Sequence, residues 1–157
     1  MNIYYKNNPI VADGDYRIII LMEDFQMKQK VIEVLMVEPH EAPRIVCLEN
    51  DLIALQTAVS IGADYRGLIE IIPLSDDVCI LCNEEAKLIA LEPNRRLWSD
   101  VLCGVFYVTG QDDAGNLCSL SGENMEYYKA FFAVPESISR EEADAALITG
   151  FYIMEEI

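Results

Sequence analysis

Between Gly67 and Leu120 the chain repeats one pattern, a short run of β-branched and apolar residues closed by a polar turn. Gly67 to Pro73 reads as a strand, and Ser75-Asp76-Asp77 turns it into Val78–Cys82. Asn83-Glu84-Glu85-Ala86 forms the next turn, Lys87–Leu91 the returning strand, and Pro93-Asn94-Arg95-Arg96 a corner. Val101–Thr109 and Leu117–Leu120 flank the loop Gly110–Asn116, whose Asp-Asp-Ala-Gly-Asn composition suits a hairpin. Connections this short reverse a strand and cannot carry a parallel crossover, so the sheet they predict is mainly antiparallel.

Helical spacing interrupts the β pattern. Upstream, Tyr16–Met22, Lys30–Val37 and Ile45–Leu48 read as strands, with Asp13-Gly14 and Glu38–Pro43 as turns. Asn50 is placed to cap a helix of about three turns whose apolar stripe is Leu52, Leu55 and Val59, with Ile53 flanking and Gly62 as the stop. Ser121 opens a second helix to about Phe132, with Met125, Tyr128 and Phe132 on one face. Ser139-Arg-Glu-Glu142 has the spacing of a capping box and opens a short third helix ending at Gly150. Phe151–Met154 fits a last edge strand. The predicted fold is a single-domain α+β protein with a mainly antiparallel sheet and two or three short helices.

Charge and length restrict what such a domain can do. The 157 residues carry 27 acidic and 11 basic side chains, a net charge of −16. Residues 1–30 balance, residues 31–132 hold −11, and residues 133–157 hold −5. A surface this negative repels phosphate backbones, so direct nucleic-acid binding is not expected. No apolar run approaches the roughly 20 residues of a membrane helix, and Met-Asn-Ile-Tyr-Tyr-Lys lacks the layout of a secretion signal. Five cysteines, an odd number set mostly within apolar segments, read as reduced core thiols of a cytoplasmic protein.

Few residues suggest chemistry. Cys79 and Cys82 have zinc-knuckle spacing, but they lie in one strand, face opposite ways and lack a second ligand pair, so no metal and no cofactor is expected. His40 is the single histidine, in a Pro-flanked loop, and reads as a surface residue. The carboxylate pairs Asp76-Asp77, Glu84-Glu85 and Asp112-Asp113 fall in turns and read as solvated acids. No glycine-rich phosphate loop is present, and no catalytic residue can be named.

The Asn94-Arg95-Arg96 corner is the best ligand-binding candidate, with Asn83 and Lys87 beside it in sequence. Arginine presents a planar donor fork to a carboxylate or phosphate. The competing interpretation is structural: Asn94 closes the turn while an arginine pairs with a backbone carbonyl or an acid inside the domain. Proline ends the strand before the corner, and Trp98 reads as core.

Val31-Ile-Glu-Val-Leu-Met-Val-Glu-Pro, Cys82-Asn-Glu-Glu-Ala-Lys-Leu, Leu91-Glu-Pro-Asn-Arg-Arg-Leu, Gly104-Val-Phe-Tyr-Val-Thr-Gly and Cys118-Ser-Leu-Ser occur in one order. Together they resemble the bacterial and phage family numbered 3846 among domains of unknown function, over roughly residues 30–132. The resemblance implies no activity, since that family has none assigned, and it suggests kinship with proteins of phages and conjugative elements. It divides the chain into a strand-forming extension at 1–29, an α+β core at 30–132 and a helix/strand extension at 133–157. The function expected is a non-enzymatic protein-binding or regulatory module whose partner is another protein. An acidic DNA mimic is the alternative, followed by an unrecognised enzyme. The oligomeric state and the partner's identity are not readable.

Overall fold

A computed structural model describes residues 29–146, together with the backbone of two short strands, β1 (Ile3–Tyr5) and β2 (Asn8–Ile10), which pair antiparallel. The strands expected at 16–22 and 151–154 lie outside the described residues.

The main sheet is built from β3 (Val31–Val37), β4 (Arg44–Glu49), β5 (Ile69–Pro73), β6 (Val78–Asn83) and β9 (Phe106–Gln111), in the order β4-β3-β9-β6-β5. Every pairing is antiparallel, as the short turns require. A two-residue strand, β10 (Leu117–Cys118), joins β9 on the edge where β3 has diverged. Ser119 Oγ accepts from Glu33 N at 2.9 Å, and Leu120 N donates to Glu33 O at 2.9 Å, so β10 wedges β3 away from β9.

The central strands β6 and β9 are buried on both faces, which explains why they read as largely apolar runs, while the outer strands β4 and β5 stay mostly exposed. One face (Ile32, Val34, Met36, Cys79, Leu81, Tyr107) packs under α1 (Leu52–Ala58) through Leu55 and Val59. The other (Leu35, Val37, Val78, Ile80, Cys82, Phe106, Val108) is covered by α2 (Gly122–Phe131) and a hairpin of β7 (Pro93–Leu97) and β8 (Asp100–Cys103). Cys79 and Cys82 therefore face opposite ways. A third cluster joins Ala86, Leu91, Val101 and Cys103 to Ile138 and Ala143, the latter on a helical segment over residues 140–146, here α3. Residues 133–146 thus pack onto the same domain. Among the described residues no helix is long and apolar enough to cross a membrane.

Several local expectations are corrected. Asp51, not Asn50, caps α1, its side chain accepting from Ala54 N at 2.8 Å. Asn50 is buried, and its amide donates to Gln29 O and Leu117 O across the β10 seam. The helix has two turns instead of three and ends at Val59, leaving Leu52 65% exposed and outside the core. Residues 84–90 form consecutive turns instead of a returning strand; Leu91 N bonds Ala86 O, and Ala90 adopts φ 56°. Pro93 begins a strand where the sequence suggested an end, since a first strand position needs no N–H donor. The run Val101–Thr109 breaks at Gly104, whose φ of 71° turns β8 into β9. Ser121 and Ser139 cap as expected, accepting from Asn124 N and Glu142 N. Among the cysteines, Cys79, Cys82 and Cys103 are buried, whereas Cys47 is exposed and Cys118 half-buried.

Candidate functional site

The Asn94-Arg95 dipeptide, polar by sequence, is almost wholly buried. Asn94 sits at a register shift in the β7–β8 ladder, which turns its side chain inward. Its amide donates to Val37 O at 2.9 Å and Gly104 O at 2.8 Å, joining the hairpin to β3. Arg95 Nη1 donates to Asn94 Oδ1 at 2.7 Å, and Nη2 to Glu41 O at 2.7 Å. Nε and Nη2 together chelate Phe132 O at 3.3 and 3.1 Å. These acceptors are uncharged oxygens, and Phe132 is the C-cap of α2, where a positive charge is favoured by the helix dipole. Burial pulls the guanidinium pKa down, with the field of Glu136 opposing.

Arg96 points the other way. Nε and Nη2 grip Glu142 at 2.8 and 2.7 Å, while Nη1 and the backbone N bind Glu136 at 2.9 Å each. Its pKa is raised by these bonds to Glu142 and Glu136, and that of Glu142 is lowered chiefly by its bond to Arg96. Both arginines are engaged inside the domain, leaving no free fork for an anion.

Asn83 and Lys87 are brought together elsewhere. They line a hollow of about 270 Å³ with Glu70, Cys82, Asp100 and Cys103. Lys87 is paired with Asp100, and Asn83 Oδ1 accepts from Glu85 N at 2.9 Å. Burial, then the carboxylate of Glu70, pushes the Cys82 thiol up to about 12, and burial also raises Cys103. Protonated thiols are poor nucleophiles, so neither cysteine is activated in this hollow.

The five sequence candidates do not line a second concavity, a cleft of about 720 Å³ where four segments meet. Glu38, Pro39, Glu41 and Ala42 come from the β3–β4 connection, Arg44 opens β4, and Ile61 and Gly62 belong to the chain after α1. Ile89–Glu92 precede β7, and Gly104–Val105 follow β8. The buried polar residues stand behind these walls. Arg95 holds Glu41 O, Asn94 holds Gly104 O, and Arg140 of α3 holds Leu91 O. At the rim, Arg44 pairs with Glu38 at 3.1 Å, and His40 Nε2 lies 3.1 Å from Glu92 Oε1. His40 is exposed, as expected, but Glu92 orients it. Its lining residues are spread from 38 to 105 in ordinary loop composition, so only their convergence in space reveals the cleft.

Trp98 overturns its expected core placement. It is 72% exposed and adopts φ 54° in the two-residue turn between Leu97 and Asp100. Glycine is the usual residue for a left-handed first position in such a turn.

The family model for the domain of unknown function DUF3846 matches residues 32–133. The chain belongs to this family. The match spans the main sheet from Ile32 onward, the β7–β8 hairpin, α1 and α2, so the DUF3846 domain contains the Asn94-Arg95 strut and the walls of the cleft. It stops short of Glu136, Arg140 and Glu142, which tie residues beyond the DUF3846 match to it. No curated protein and no solved structure matches the chain.

Proposed function

We propose that this DUF3846 protein is a non-enzymatic binding module that docks on another protein through the tip of its β7–β8 hairpin, with Trp98 as the anchor. One observation carries this reading: a tryptophan, 72% exposed, in a left-handed backbone position. For a bulky residue that conformation costs about 1–3 kcal/mol, and the indole, left 72% exposed, recovers little of it by burial in its own domain. Tryptophan is among the residues that dominate interface energetics. The hairpin is a stiff mount, because Leu97 and Leu102 are set in the main core.

The net charge of −16 favours a partner with a basic rim around an apolar pocket. The buried free thiols of Cys79, Cys82 and Cys103 support a cytoplasmic role. A DNA mimic is the weaker reading, since Glu38, Glu92, Asp100, Glu136 and Glu142 are each paired with a basic side chain of this chain.

The test is capture from a bacterial lysate on immobilised wild type, Trp98→Ala and Leu52→Ala, the last removing an exposed apolar residue on the opposite face. A protein retained by wild type and Leu52→Ala but lost with Trp98→Ala is expected. Retention that ignores Trp98, or is abolished by competing duplex DNA-binding proteins alone, contradicts the proposal.

A further inference from the structure

We propose that a second copy of this chain pairs antiparallel with the outer edge of β4, so that two main sheets join into one across a two-fold axis at Cys47. This surface lies outside the Trp98 hairpin, and its test does not rest on the docking role of Trp98.

β4 and β5 end the main sheet, and among the described residues no strand pairs with the outer side of either. The hydrogen-bond pattern decides which backbone groups are left there. Asn50 N donates to Lys30 O at 2.8 Å, and bonded pairs alternate along an antiparallel ladder. Leu48, Val46 and Arg44 therefore bond β3, while Ile45, Cys47 and Glu49 turn their N–H and C=O groups outward. On β5 the bond from Glu84 N to Leu68 O turns Ile69, Ile71 and Pro73 outward in the same way. That outward row ends in a proline, which has no N–H to give, and a charged residue, Glu70, interrupts the strand. β4 has neither proline nor charge from Ile45 to Leu48, so it is the edge left open to pairing.

The side chains of β4 complement those of a second β4 in one register. Setting Cys47 against Cys47 of the second copy places Ile45 opposite Glu49 and Val46 opposite Leu48. Every outward residue then exchanges both bonds with another outward residue, and sliding by two positions either way loses one of these pairs. Sliding by one would send Val46 and Leu48 to the wrong face. In the Cys47 register these two half-buried residues meet in close pairs, extending the apolar row that packs with Ile32 and Val34. Ile45, 45% exposed, lies diagonal to Cys47 of the second copy and beside the methylenes of Glu49. No charged side chain faces a like charge directly: Arg44 meets Asn50, and Glu49 meets Ile45. The seam is one strand long and each copy carries −16, so the dimer is weak and strengthens as salt screens the repulsion.

Sedimentation equilibrium of the full chain under reducing conditions, with amide hydrogen exchange at matched concentrations, tests the pairing. A monomer–dimer equilibrium is expected, its dissociation constant lower by on the order of tenfold in about 0.5 M than in about 0.05 M sodium chloride. Exchange at Ile45, Cys47 and Glu49 should slow as protein concentration rises, with Ile69 and Ile71 unchanged. Cys47→Lys sets two lysines face to face and should abolish the dimer; because Cys47 is exposed, the thermal midpoint of the dilute protein should hold. Ile45→Lys brings lysine opposite Glu49 and should tighten the dimer several-fold, the reverse of what a lysine does to an edge in any other register. Cys47→Ser and Trp98→Ala should associate as wild type does. A monomer at every concentration would overturn the proposal, as would protection of the three β4 amides that ignores concentration, since the edge would then be covered by its own chain. Protection growing at Ile69 and Ile71 instead, or a dimer weakened by Ile45→Lys, would overturn it equally.

Discussion

Arg95 Nη2 donates to the main-chain oxygen of Glu41 at 2.7 Å, fifty-four positions away in sequence, while its other nitrogens hold Phe132 O and Asn94 Oδ1. One buried side chain thereby ties the β3–β4 loop, the end of α2 and the hairpin together. The basic corner is a strut behind the cleft.

Removing that strut should be costly. Arg95→Met keeps much of the volume but leaves the oxygens of Glu41, Phe132 and Asn94 without a donor. Unsatisfied buried acceptors cost about 1–3 kcal/mol each before relaxation, so urea unfolding should show a loss of about 3 kcal/mol. Arg96→Met should cost less, and its effect should shrink in high salt, because its pairs with Glu136 and Glu142 reach solvent. Equal losses at the two positions would contradict this division.

Gly110 faces the seam where β10 wedges against β9. A Cβ there would lie 2.5 Å from Ser119 O and 3.0 Å from Cys118 Sγ. Backbone cannot swing aside as a side-chain end can, so Gly110→Ala should lower stability by at least about 2 kcal/mol by overpacking. Gly122→Ala, in the first turn of α2 with open space around it, should be neutral or slightly stabilising. Comparing the two thermal midpoints checks the seam.

Alkaline pH should weaken the fold. Burial raises Cys82 from 9.0 to about 12 and Tyr107 from 10.0 to about 12. The folded state thus binds these protons more tightly than the unfolded chain. Their contribution is fully present below the unfolded values and declines as pH rises from about 9 toward about 12. Urea midpoints measured between about pH 8 and about pH 11 should fall, and Cys82→Ala should flatten the first part of the fall. A wild-type midpoint constant over that range would contradict the assignment.

Much of this architecture was legible, for physical reasons. Short polar turns between β-branched runs permit only antiparallel pairing, and Ser121 and Ser139 announce helices because a hydroxyl before the first turn can accept an orphan N–H. The misreadings came where tertiary contacts overrode local preference. Lys87–Leu91 has strand composition, yet the bond of Lys87 to Asp100 and the left-handed Ala90 hold it in turns. Asn50 and Asp51 are both good caps, and the β10 seam claimed the first. The Asn94-Arg95-Arg96 corner was visible as a feature, including its option of internal pairing. Its burial was not visible, because the carbonyls it satisfies belong to residues 37, 41, 104 and 132. The cleft and the exposure of Trp98 depend on how the hairpin lies on the sheet, which no local pattern encodes.

On the proposed docking role, Trp98 is held outside the core at a conformational cost, for contact and not for the fold. The direct measurement is the urea unfolding free energy of Trp98→Gly beside wild type. Glycine adopts the left-handed turn position without strain, so the account predicts stability unchanged or raised, by up to about 1 kcal/mol. A loss of more than about 1 kcal/mol would show that the indole packs within its own domain, and would contradict the account.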